Sequence, residues 1–207
     1  GDPAPPLAGD TGPANGLIDR AVRRGFPTLA DGFDRDGRIA AQGQVHAGLL
    51  AELKADPYYR RPCPKSTGPE AFGDAYLEPL WLRAEALGLA PADVVATLTR
   101  LTIETVAETV RRERPHLRGA ELIVSGGGRH NPALVRGLRA ALPETRWRRS
   151  ESLGVPPDAK EAALFAVLGH ESLFGEGFAA PAAPLGPPLG AQPPPARFGF
   201  GKLSWPD

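Results

Sequence analysis

The stretch Ala120-Glu121-Leu122-Ile123-Val124-Ser125-Gly126-Gly127-Gly128-Arg129-His130-Asn131-Pro132 most constrains how this chain folds. Its short apolar run, β-branched at Ile123 and Val124, reads as a buried strand, and three glycines end it. Asn131 stands where a helix N-cap belongs, with Pro132 at the first helical position. Leu134, Val135, Leu138 and Ala141 then keep helical spacing up to Pro143. Strand, glycine turn and helix together bring backbone amides and a helix N-terminus to a nucleotide. Adjacent glycines also let a flat ligand reach the backbone without meeting a Cβ. A tight turn between core elements accounts for the triplet equally well. The dinucleotide pattern G-x-G-x-x-G is not met, because Asn131 occupies its last position. A reductase reading that would set Arg146, Arg148 and Arg149 on a 2′-phosphate is therefore disfavoured.

The 207 residues suffice for one good-sized domain or two small ones. With 24 basic and 24 acidic residues, the charge balance offers no case for nucleic acid or an anionic membrane surface. No apolar run has the length of a membrane span and no signal peptide is evident, and the single cysteine, Cys63, suits a reducing compartment. The expectation is a cytoplasmic protein.

Residues 1–9 form a Pro-rich lead-in. Leu17, Ile18, Ala21 and Val22 then mark a short helix, and Asp34-Arg35-Asp36-Gly37-Arg38 reads as a structural turn. It resembles the start of a calcium loop, but Ala40 and Ala41 stand where oxygen ligands are needed. A helix over residues 45–55 faces Leu49, Leu50 and Leu53 inward and ends at Asp56-Pro57. Residues 58–64 read as an extended connector. A helix from about Glu70 carries Phe72, Tyr76, Leu80 and Trp81, with a bend or restart at Pro79. The longest helical signal covers residues 91–114, crowded with threonines at 97, 99, 102, 105 and 109 and closing on Arg111, Arg112 and Arg114. A short strand is expected around Trp147. Pro156-Pro157-Asp158 opens a helix through about Phe174 with Ala162, Phe165, Ala166 and Leu168 apolar. Residues 1–175 thus form one lobe, and 176–207 a Pro/Gly-rich strap with a final strand near Arg197.

Chemistry is carried by polar loops. Asp10 beside Thr11 and Gly12 has the parts for phosphate or sugar chemistry: a carboxylate to take a proton, a hydroxyl and an amide to donate. An Asx turn capping the next helix is the plainer account. Lys65-Ser66-Thr67-Gly68 lacks the upstream glycines of a P-loop and reads as a helix-entry loop. Lys160-Glu161 alone reads as a solvated pair.

Taken together and in order, these pieces resemble the anhydro-N-acetylmuramic acid kinase family, with its actin-like, sugar-kinase-type ATPase fold. The segments are Asp10-Thr11-Gly12-Pro13-Ala14-Asn15 with Ile18-Asp19; Asp36-Gly37 and Ala40-Ala41-Gln42-Gly43; Pro64-Lys65-Ser66-Thr67-Gly68; Gly126-Gly127-Gly128-Arg129-His130-Asn131-Pro132; and Pro157-Asp158-Ala159-Lys160-Glu161-Ala162 with Phe165-Ala166. Leu189-Gly190-Ala191 and Gly201-Lys202-Leu203 are similar to the family's closing segment. The resemblance implies an α/β lobe, helix-rich with a small sheet, in a kinase of cell-wall recycling. Such a kinase converts 1,6-anhydro-N-acetylmuramic acid, ATP and water to N-acetylmuramic acid 6-phosphate and ADP. It further implies Asp10 as the base that activates water, Thr11 and Gly12 at the phosphates, and Gly126, Gly127, Gly128 and Asn131 at the adenosine. Asn15 and Glu161 are implied as sugar contacts, and Mg2+ as a bridge between phosphates, with no metal ligand in the chain itself.

Three departures stand out. Ala14 replaces a glycine of the family loop, Pro69 replaces an arginine, and the family's Gly-Thr-Ser-x-Asp-Gly phosphate loop occurs nowhere in the 207 residues. The expectation is the C-terminal portion of such a kinase, incomplete without an N-terminal lobe or a second chain. An exposed edge would then be left for that lobe or for a homodimer. The alternative is a non-catalytic lobe that binds nucleotide or amino sugar. On either account, Asp10 and the glycine turn should face each other across one cleft.

Overall fold

The computed structural model describes residues 8–154, 156 and 159–174, with the strands Phe178–Ala179 and Arg197–Phe198. The helices are α1 (Asn15–Gly25), α2 (Arg38–Gln42), α3 (Ala47–Lys54), α4 (Pro57–Arg60), α5 (Asp74–Ala86), α6 (Pro91–Glu113), α7 (Pro132–Ala141) and α8 (Lys160–Phe174). Strands β1 (Glu121–Val124) and β2 (Arg146–Arg149) flank α7 in sequence and pair in parallel, Leu122 opposite Trp147. The short strands β3 (Phe178–Ala179) and β4 (Arg197–Phe198) pair antiparallel. The described residues thus form a helix-rich α/β arrangement with a small parallel sheet. The expected entry at Pro157-Asp158, most of the strap at 176–196 and the segments Leu189-Gly190-Ala191 and Gly201-Lys202-Leu203 lie outside the described residues.

The long threonine-rich segment is the helix on which α1, α2, α3 and α7 all pack. Val94, Val95, Leu98 and Leu101 of α6 meet Leu17, Ile18 and Val22 of α1 and Leu49 of α3 in one core. Each such side chain contributes about 2 kcal/mol when fully removed from water. The threonines are buried as well, and four of their hydroxyls turn back onto the helix. Thr99 donates to the Val95 carbonyl, Thr102 to Leu98 and Thr105 to Thr102. Thr97 donates to the Asp93 carbonyl at 2.7 Å and accepts from the His46 amide at 3.0 Å. Asp93 accepts from the Ala90 and Gln44 amides, so the first turn of α6 also fixes the loop before α3. Close approach requires glycine there: a Cβ on Gly43 would lie 2.0 Å from the Ala92 carbonyl oxygen.

Four expectations are corrected. Residues 58–64 are not all extended, because Asp56 accepts from the Tyr58 amide and caps the turn α4, burying Tyr58 and Tyr59. α5 runs through Pro79 without a break, since Pro79 and Ala75 lie on the exposed face, where water can serve the Ala75 carbonyl. The strand before the glycines is covered on one face only. Leu122 packs near Ala107, Leu117 and Leu142, while Ile123 is 47% exposed. α8 forms as expected, but Leu164, Phe165 and Val167 face solvent among the described residues.

Replacing Thr97 by Val keeps its volume but leaves the His46 amide without its acceptor. Urea unfolding of that variant is expected to show a loss of about 1–3 kcal/mol.

Candidate functional site

Asp10 lies in a loop held from three directions by residues more than forty positions away. Its amide donates to the Lys65 carbonyl at 2.8 Å, and its carbonyl accepts from the Tyr58 hydroxyl at 2.9 Å. Its carboxylate Oδ2 accepts from the Thr67 amide at 2.9 Å and from the Ser66 hydroxyl at 3.1 Å. Burial, followed by the nearby Asp10 charge, pushes the Tyr58 phenol up, so it stays a donor. Gly12 sits against Tyr59, where an added Cβ would lie 2.9 Å from the ring. Burial likewise holds the Tyr59 phenol well above its usual range.

The chain then enters α1, and two cavities open on either side of its first turns. The smaller, about 240 Å³, is lined by Asp10, Gly12, Asp19, Arg20 and Thr67. The larger, about 500 Å³, is lined by Asn15, Asp19, Asp36, Gly127, His130 and Asn131. Asp10 and the glycine turn therefore do not face each other across one opening. They line adjoining cavities that share Asp19, one helical turn beyond Asn15. Burial raises the Asp19 carboxyl above the usual carboxylate range; Arg23 opposes this and Asp34 adds to it.

The wall opposite α1 is the glycine turn. Gly126 adopts φ 79°, and an added Cβ on Gly126 or Gly127 would meet nothing within 4 Å, so this backbone is open. Gly128 instead approaches Asn15, whose amide nitrogen would lie 3.3 Å from an added Cβ. A short 3-10 turn, Gly127–His130, comes before the helix. Asn131 caps α7 as its place before Pro132 predicts, its Oδ1 accepting from the Ala133 and Leu134 amides. That use leaves its side-chain amide nitrogen for a ligand. Gly37 packs directly on this cap: with φ 69°, an added Cβ would lie 2.4 Å from Asn131 Oδ1. The turn containing Gly37 is held in turn by buried Asp34, which accepts from the Ile39 and Ala40 amides.

The site residues expected from sequence do not all converge. Asp10 and Gly12 reach the smaller cavity; Asn15, Gly127 and Asn131 reach the larger. Gly126 and Gly128 line neither, nor does half-buried Thr11, and Glu161 is exposed in the first turn of α8 and lines neither. Lys65, Ser66 and Thr67 were read as a helix-entry loop, yet they grip Asp10. Their polar run was the available signal. Asp19 and Asp36, marked in the sequence only as parts of the family segments, also line the larger cavity. Among the described residues no three His, Cys, Asp or Glu side chains converge on a metal position.

A sequence model of the family described as anhydro-N-acetylmuramic acid kinase matches residues 2–183, most of the chain. The chain belongs to the anhydro-N-acetylmuramic acid kinase family. It is 49% identical over 172 residues to the enzyme of that name from Streptomyces coelicolor, covering 83% of this chain and 42% of the relative. It is 47% identical over 173 residues to that from Rhodococcus erythropolis (84% and 42%), and 45% identical over 181 residues to that from Variovorax paradoxus (85% and 45%). The chain thus spans less than half the length of these curated relatives.

Two outcomes follow from this geometry. Ala14 adopts φ 46° and ψ −132°, a combination glycine reaches far more readily. Ala14→Gly is expected to stabilise the chain by about 1 kcal/mol in thermal or urea unfolding. For Asp19, a raised folded-state pKa favours folding below the unfolded carboxylate range, and this is lost as pH rises through the folded value. Asp19→Asn should therefore raise the melting temperature at neutral pH, and the gain should shrink as pH falls towards about 4.

Proposed function

We propose that this chain is the C-terminal portion of an actin-like sugar kinase acting on 1,6-anhydro-N-acetylmuramic acid, with Asp10 as the base. The observation that carries this is the double grip on Asp10 Oδ2 beside a cavity that adjoins, through Asp19, the open glycine turn. A carboxylate whose one oxygen is occupied by two donors keeps the other for a water molecule. Water attacks the anomeric carbon and its proton passes to Asp10. The C–O bond of the anhydro bridge breaks, and the oxygen left on C6 attacks the γ-phosphorus of ATP, expelling ADP. On this reading the smaller cavity takes the sugar and the larger takes the nucleotide, whose volume range it suits. The bare backbone at Gly126 and Gly127 would lie along the adenosine.

Thr11 and Gly12 are assigned to the phosphates and Asn15 to the sugar, all three requiring a shift in the occupied state, since Gly12 lines the smaller cavity, Asn15 the larger and Thr11 neither. Glu161 joins the sugar site only if α8 is carried to it by further structure. Mg2+ is expected to arrive with the phosphates, since the described side chains do not themselves form a cage for it. The chain alone is expected to bind weakly and turn over little, because the phosphate loop of the family is absent from its sequence. A cytoplasmic location is part of this reading.

The test is ADP release with 1,6-anhydro-N-acetylmuramic acid. It is run on this chain and on a form extended to the relatives' length with a Gly-Thr-Ser-x-Asp-Gly loop. Turnover is expected in the extended form, and Asp10→Asn should lower kcat by about 10²–10⁴-fold. Undiminished turnover in that variant would remove Asp10 from the role of base.

A further inference from the structure

The carboxylate of Asp10 depends on a loop whose own anchor is a buried charge. Lys65 is only 5% exposed, and its ammonium donates to the Tyr58 carbonyl at 3.0 Å while lying 4.4 Å from the centre of the Tyr58 ring. A side chain there that merely filled space would be aliphatic, because an ammonium taken out of water costs free energy unless it is well engaged. Burial lowers the Lys65 pKa, with the charges of Arg112 and Arg61 adding to this and Cys63 and Glu113 opposing it. The charge is thus held at a cost, and it acts on the two pieces of chain that hold Asp10. On one side it fixes Tyr58, whose hydroxyl donates to the Asp10 carbonyl. On the other, its own backbone carbonyl accepts from the Asp10 amide, and the next two residues supply the donors to Oδ2. Oδ1 receives no hydrogen bond from the described residues.

Resting on the reading of Asp10 as base, we propose that Lys65 is a positioning residue. Its ammonium, latched across Tyr58, holds Ser66 and Thr67 on Asp10 Oδ2 and so presents Oδ1 to the smaller cavity. Lys65 does not touch the reacting atoms. It acts through Tyr58, Ser66 and Thr67, and removing its charge should loosen all three contacts together. A misplacement of the base by about 1 Å is enough to lower turnover by about 10²-fold.

The first readout needs no turnover. An amide proton bound to a carboxylate shifts as that carboxylate titrates, so the Thr67 amide should respond to acid pH in this chain and lose the response in Asp10→Asn. In Lys65→Met the Thr67 response is expected to fall by at least half, with the amide shifts of α6 unchanged. A wild-type response in Lys65→Met overturns the proposal. Should that variant fail to fold, Lys65→Gln, which keeps a donor but drops the charge, is expected to give a reduced response, and a full one refutes the latch. The second readout uses the extended, active form. Lys65→Met should lower kcat about 10–100-fold with the sugar KM within about twofold, and a change in KM alone counts against positioning. If turnover instead survives Asp10→Asn, the base assignment fails while the amide titration still decides whether Lys65 holds the loop.

Discussion

The burial of α6 is the constraint on which the structure depends. Twelve of its residues are buried, five of them threonines, and a helix enclosed on most sides leaves no water for side-chain hydroxyls. Four of them answer this by bonding back to carbonyls of α6 itself, so the helix presents a surface that is effectively apolar. Thr97 and Asp93 do more: they also accept amides from the loop before α3, so the same turn that starts α6 positions its neighbours. Gly43 lets that loop come close enough for these bonds to form.

The candidate site is assembled on this frame from pieces far apart in sequence. Asp10 is gripped by residues 56 and 57 positions downstream. The Asn131 cap is touched by Gly37, and the glycine turn approaches Asn15. The Thr67, Gly37 and Gly128 contacts each engage a backbone group or a capped helix end, which favours an ordered site. Two adjoining cavities that meet at Asp19, rather than one cleft, separate the acidic loop from the open glycine backbone. On the proposed function, this separation lets the base and the nucleotide occupy different cavities.

Much of this was legible from local signals. Apolar spacing with Pro91 at one end and arginines at the other marked α6 almost to the residue. Asn131-Pro132 marked the cap of α7, and Leu17, Ile18, Ala21 and Val22 marked the buried face of α1. The losses have equally specific causes. Tyr58 and Tyr59 looked like connector residues because proline surrounds them, and only the Asp56 cap and the Phe72 ring contacts turn them inward. Lys65-Ser66-Thr67 carried no pattern that names a partner, since what it binds is a single carboxylate across the fold. Leu164, Phe165 and Val167 of α8 have the spacing of a core helix, yet they are exposed among the described residues.

The sequence by itself determined the longer helices, the Asn131 cap, the glycine turn and the family, because these rest on backbone preferences and side-chain patterns confined to neighbouring positions. Only the tertiary structure decided which oxygen of Asp10 is occupied, that Lys65 is buried beneath that contact, and that Asp19 is the residue common to both cavities. Those facts depend on distances between segments brought together by packing on α6, and spacing along a chain does not encode them.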